Sequence, residues 1–311
     1  QVLYSTIDMV IVGEYVGTPG LSAVSQSSQI LNFVTMVCLG FSNAGQVLVS
    51  QAFGAGKKKE MNDIIGTMFS VLTVFAAILS VIIISINGWI MDVMNMPAES
   101  YDMAIDYLII CTGGLIFTAG YNMVSAVLRG MGDAKRPFLF IGIASAINLI
   151  LDLLFTGFLG MGVAGAAIAT VVSRFVEMFM LVIITHTRKD KYPSYVGVYR
   201  TWKIPRDLCV EMIKKGSPLL LNEFLWSFGM AVLLQCYSVR GLEAVAAANI
   251  SSTVLNLFNV IAFSMGSAIA IILGQHLGAD EIDEAKSSVW KLFALSVASC
   301  AIASTALALC S

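Results

Sequence analysis

Two residues in the stretch "INLILDLLF", Ile147 to Phe155, carry chemistry that their surroundings do not invite. Asn148 and Asp152 stand four apart in an otherwise apolar run, so any helix formed there presents an amide and a carboxylate on one side. An ionised Asp at mid-bilayer costs about 2.5–3.5 kcal/mol on insertion scales, so such acids mark a partner, a pathway or a bound ion. The glycine-rich "GFLGMGVAG" that follows predicts a tight hairpin. With its tip near Met161, Asp152 and Thr170 are equidistant from the turn and at one depth. Asp8, in the first apolar segment, falls in the same half of the membrane. Carboxylates, a hydroxyl and an amide carbonyl form a hard-oxygen set suited to H⁺ or Na⁺; zinc or copper would call for His or Cys. The alternative is that Asn148 and Asp152 only cross-link helices through hydrogen bonds.

The rest of the chain supports a membrane setting. Of 311 residues, 58% are hydrophobic and 12% charged, and the mean hydropathy is +0.84. No Asp, Glu, Lys or Arg occurs from Tyr15 to Gly56, and comparable charge-free runs follow, each long enough to cross a bilayer, which takes about 20 residues. The reading is an all-α membrane protein, a polytopic bundle with about nine transmembrane helices: 1 to 13, 21 to 50, 64 to 87, 104 to 127, 137 to 157, 163 to 186, 208 to 239, 244 to 273 and 288 to 311. Of the 18 Lys and Arg, all but Arg174 and Arg240 then lie beside alternate connections, so these connections and the N-terminus are expected on the cytoplasmic side.

An internal repeat organises the spans. An ungapped offset of 224 pairs Ser27 and Ser28 with Ser251 and Ser252, Asn32 with Asn256, Gln51 with Gln275, Gly54 with Gly278, and Glu60 with Glu284. Six helices separate equivalent positions, so the copies share orientation as parallel six-helix repeats, the second truncated. The expected organisation is an N-terminal lobe at 1–187, a cytoplasmic linker at 188–207 and a partial C-terminal lobe at 208–311. A chain that opens on Gln1 inside a helix and stops three helices into its second repeat is expected to be part of a unit of about twelve.

Other polar residues admit two readings each. Gln29, Asn32 and Met36 on helix 2, with Asn256 and Asn259 on helix 8, could line a cavity between lobes or bond helices together. Glu223 is a second acid that could couple or bind substrate, or pair with Lys214 and Lys215. Arg174 and Glu177 are spaced for a local ion pair. The six cysteines have no paired spacing, and His186 and His276 lack partners at metal-ligand spacing, so no metal is expected beyond a possible Na⁺ at the four-residue set. No phosphate loop, HExxH or nucleophile elbow is present, and the chain is not read as an enzyme.

The blocks "TIDMVIVGEYVG", "QVLVSQAFGAGKKKEM", "LRGMGDAKRP" and "INLILDLLFTGFLGMGVAGAAIATVVSR" resemble those of the multidrug and toxic compound extrusion (MATE) family of cation-coupled antiporters. The resemblance implies a cation site at Asp8, Asn148, Asp152 and Thr170. It implies export of amphipathic or cationic organic compounds in exchange for H⁺ or Na⁺, with no cofactor. The expected setting is a bacterial inner membrane. Small organic substrates and membrane lipids are the expected partners, nucleic acid is not, and a monomer is expected. The alternative within the same superfamily is a lipid-linked oligosaccharide flippase, which should present cationic side chains to a pyrophosphate headgroup.

Overall fold

The computed structural model describes residues 2–188, scattered positions between 208 and 236, and 262–310. Among these residues every regular element is helical. They are α1 (Val2–Tyr15), α2 (Thr18–Gly54), α3 (Lys58–Ser85), α4 (Asn87–Val93), α5 (Ala98–Gly113), α6 (Leu115–Gly130), α7 (Lys135–Asp152), α8 (Gly162–Thr187), α9 (Ala262–Gly278) and α10 (Ile282–Cys310). A π-helical segment, Leu153–Phe158, continues α7.

Among the described residues, four helices are long and apolar enough to cross a membrane: α2, α3, α7 with its π segment, and α8. The helix expected at 104 to 127 is instead a broken span. α5 and α6 meet at Gly114 with a bend of 45°, and taken as one span the pair is long and apolar enough for a fifth crossing among the described residues. The break sits where Gly114 packs against Val171 of α8, a contact that composition alone does not reveal.

α3 shows why such a helix needs lipid. Met61, Ile64, Ile65, Met68 and Leu72 form a buried stripe at helical spacing, while Val74, Ile78, Val81 and Ile82 are equally apolar and exposed. A helix apolar on both faces contacts protein on one and hydrocarbon on the other. Phe138, Ile150 and Phe158 extend that apolar exterior, and Trp89 stands exposed in α4, as aromatic side chains do at membrane interfaces.

α2 is the central strut, packing against α1, α3, α5 and α6. Two apolar clusters flank it. One, around Val24, Ala76, Leu108 and Val163, fills the end that holds the α7–α8 hairpin. The other, around Leu48, Met68, Val124 and Leu181, fills the end that carries Lys57 and Arg129. α7 packs mainly on α8, with α1 lying against both.

Candidate cation site

Asp8 of α1 is fully buried. Its carboxylate is held from two sides. The Tyr107 hydroxyl of α5 donates to Oδ2 at 2.6 Å, and the Thr170 hydroxyl of α8 donates at 2.9 Å to Oδ2 and 3.2 Å to Oδ1. Asn148 of α7 donates through Nδ2 to Thr170 Oγ1 at 3.3 Å. Asp152, also fully buried, faces Asp8 within hydrogen-bonding reach, an arrangement of two acceptors that needs a proton or cation between them. The four residues singled out from the sequence therefore converge.

The hairpin that brings them together is tighter than a plain helix–turn–helix. α7 gives way to the π segment immediately after Asp152, so Leu159 N–H bonds Leu154 C=O five residues back at 2.8 Å. Gly160 and Gly162 then turn the chain with φ of 63° and 60°, a region that side chains with Cβ rarely adopt. The wider turn absorbs a residue and shifts the register from simple symmetry about Met161. Asn148, not Asp152, thus bonds Thr170. π turns inserted in α-helices are frequent at functional sites.

Three oxygens at this centre have no hydrogen-bond partner: Asp152 Oδ1, Asp152 Oδ2 and Asn148 Oδ1. Buried acceptors without donors are costly, and two adjacent carboxylates in a dry site repel unless a proton or cation lies between them. The donor set is all oxygen, which fits H⁺ or Na⁺ and does not select a softer metal.

A cavity of about 70 Å³ adjoins the centre, lined by Asp8, Asn32, Tyr107, Thr170 and Arg174 among others. Asn32 is thus drawn to the site, while Gln29 and Met36 are exposed on α2 outside that cavity. Glu223, Asn256 and Asn259 lie outside the described residues. Arg174 Nη1 and Glu177 Oε2 form the expected ion pair at 2.9 Å, with both side chains buried.

Sequence reasoning missed Tyr107. A phenol inside a charge-free run needs a hydrogen-bond partner when buried, and that was the available signal. It also left His276 without ligands. The turn at Asp280, with φ 61°, returns the chain so that His276 Nδ1 lies 2.9 Å from Glu281 Oε2 and 3.8 Å from Glu284 Oε2. This cluster is largely exposed, and an ordinary ion-pair role explains it.

Comparison with known proteins gives a consistent placement. The chain is 27% identical over 289 residues to a probable multidrug resistance protein, YoeA, of Bacillus subtilis (strain 168), covering 91% of this chain and 62% of the relative. It is 28% identical over 287 residues to a probable multidrug resistance protein, NorM, of Thermotoga maritima, covering 89% of this chain and 60% of the relative. It therefore spans about three-fifths of their length. Its fold matches a crystal structure of MATE in the bent conformation with a TM-score of 0.85 at 19% identity, covering 94% of this chain and 65% of the other. The MatE family model matches residues 1–154 and 218–311. The chain belongs to the MatE family.

Proposed function

We propose that this chain is the cation-coupling part of a secondary antiporter that exports amphipathic or cationic organic compounds in exchange for H⁺ or Na⁺. The observation that carries this reading is the buried pair Asp8 and Asp152, with no donor to either Asp152 oxygen or to the Asn148 carbonyl beside them. Relatives carrying multidrug resistance names support the substrate class.

Asp8 and Asp152 bind the cation, and the Asn148 carbonyl adds a neutral ligand. Tyr107 and Thr170 hold Asp8 in place by donating to it. Cation binding removes the repulsion between the carboxylates, so it favours whichever packing of α1 against α7 and α8 brings them closest. A substrate with higher affinity for the other packing is then released on the side from which the cation came, and the coupling is reciprocal. With Lys57, Arg129 and the basic stretch after α8 on the cytoplasmic side of a bacterial inner membrane, inward cation movement drives export. Each charge moving down 100 mV contributes about 2.3 kcal/mol.

The test uses the full-length protein in liposomes, with tetraphenylphosphonium as the transported probe and imposed H⁺ or Na⁺ gradients. Asp8→Asn and Asp152→Asn should each lose gradient-driven transport. Wild-type rates in both variants, or headgroup-dependent lipid flipping without probe transport, would overturn the assignment.

A further inference from the structure

A second line of buried polar groups leads from the cation site toward the basic end of the bundle, through a region where the surrounding core is apolar. On α8, Thr170, Arg174 and Glu177 follow one another at spacings of four and three, so they share a face. Thr170 bonds Asp8, Arg174 lines the same cavity as Asp8, and Glu177, fully buried, pairs with Arg174. α8 packs on α6, whose Thr118, Asn122, Ser125 and Arg129 also share a face.

Between the two faces stands Tyr121, next to Ser125, Glu177, Arg129 and Arg174. Asn122 Nδ2 is buried without a hydrogen-bond partner, and Glu177 Oε1 and Ser125 Oγ have none beyond the neighbouring Tyr121 hydroxyl. The line then leaves the first repeat. Arg129 Nε donates to Gln46 Oε1 at 2.9 Å, and Gln46 Nε2 donates to Ser267 Oγ of α9 at 3.3 Å.

Burying so many polar atoms with so few partners in a core of Leu48, Val124, Leu128 and Leu181 is costly for a purely structural purpose. Along such a line the oxygens Glu177 Oε1 and Ser125 Oγ can accept a cation, and a donor such as Asn122 Nδ2 can hold water. Intramembrane ionisable residues that lead from a buried site toward one face mark ion pathways. We propose that the coupling cation leaves the Asp8 site through the interior of the first repeat, along the α6–α8 polar line, and that the Arg174–Glu177 pair gates it.

Arg174 sits between two carboxylate centres. Paired with Glu177, its guanidinium neutralises that acid and obstructs the line. A cation that has left Asp8 leaves an anion there, which draws Arg174 toward the Asp8 cavity and exposes Glu177 as the next acceptor. The groups facing Glu177 are Arg174 on its own helix and Tyr121 on α6. Those facing Asp8 are Tyr107, Asp152, Thr170 and Asn148. Because the line ends at the Gln46–Ser267 bond, cation exit also disturbs one of the contacts between the repeats at the basic end.

The inference rests on the cation-coupled reading of Asp8, and the experiment separates the two. Removing one partner of a buried pair is strongly destabilising, whereas removing both is often neutral, so the decisive variant is R174Q/E177Q. Full-length wild type, R174Q/E177Q and D8N are reconstituted, with gradient-driven tetraphenylphosphonium transport measured beside its exchange at equal ion concentration on both sides. The expected result for R174Q/E177Q is a drop of about tenfold or more in gradient-driven transport, with exchange within about twofold of wild type. R174K should recover part of the driven rate. Wild-type driven transport in R174Q/E177Q, together with loss of coupling in D8N, overturns the route and leaves the cation site standing. Equal loss of exchange and driven transport in R174Q/E177Q also overturns it, since the pair is then structural. Wild-type transport in D8N overturns the underlying reading itself.

Discussion

Two regions of the molecule treat the internal repeat in opposite ways. At the basic end, α2 and α9 cross with equivalent residues on either side of a pseudo-twofold axis. Gly54 packs on the Gln275 carbonyl and Gly278 packs on the Gln51 carbonyl, and a Cβ at either glycine would collide with that oxygen. The 224-residue offset relates Gln51 to Gln275 and Gly54 to Gly278, so each repeat supplies the same glycine and the same carbonyl. The first acid of the proposed cation site has no such counterpart. The same offset carries Asp8 onto Val232, an apolar residue. A crossing on a symmetry axis serves both copies with one sequence, so both copies keep it. A charge buried in the membrane is costly and needs partners, so one copy can hold it alone.

The largest expected effect breaks the asymmetric half of this comparison. Asp8→Asn should reduce gradient-driven export to background, and adding Val232→Asp should not restore it, because the Tyr107, Asn148 and Thr170 partners belong to the first repeat. Restoration in liposome transport assays would mean that the site is symmetric after all.

Next in size, Gly54→Ala and Gly278→Ala each force a methyl into a backbone carbonyl and should each destabilise by about 1–3 kcal/mol. Matching losses in thermal unfolding sharpen the symmetric half. A loss in only one variant would show that the crossing is not equivalent on its two sides.

Tyr107→Phe and Thr170→Val each remove one donor to Asp8. A hydrogen bond to a charged group contributes about 1.5–3 kcal/mol, so the cation concentration for half-maximal transport should shift by about tenfold or more. An unchanged ion dependence in both would mean that those hydroxyls do not orient the carboxylate.

The smallest effect is expected at Lys57 and Glu60, whose 3.1 Å ion pair is solvent-exposed. Glu60→Ala should change stability by less than about 1 kcal/mol in the same unfolding assay. A large loss there would show that the basic end depends on loop charges as well as on the glycine crossing.

Much of the fold is written locally. Charge-free runs of sufficient length become helices because lipid leaves backbone groups no other partner, and α2, α3, α7 and α8 follow from that rule. The helix ends were less legible. α3 begins at Lys58 and not near residue 64, because lysines and acids can continue a helix beyond the hydrocarbon. The break at Gly114 escaped notice because it answers to a packing contact with Val171, more than fifty residues away.

By itself, the sequence determined the membrane class, the offset of 224 and the oxygen-bearing set Asp8, Asn148, Asp152 and Thr170, since each depends on residue type and spacing along the chain. Only the tertiary structure decided that Asp8 is bonded by Tyr107 and Thr170, and that Asn148 meets Thr170 while Asp152 faces Asp8 with no donor to either of its oxygens. It also decided that Arg174 shares a cavity with Asp8. The reason is physical. Depth in a membrane can be counted in residues, but which way a side chain faces depends on helix rotation, on a π turn and on a bend. All three are set by contacts between segments far apart in sequence.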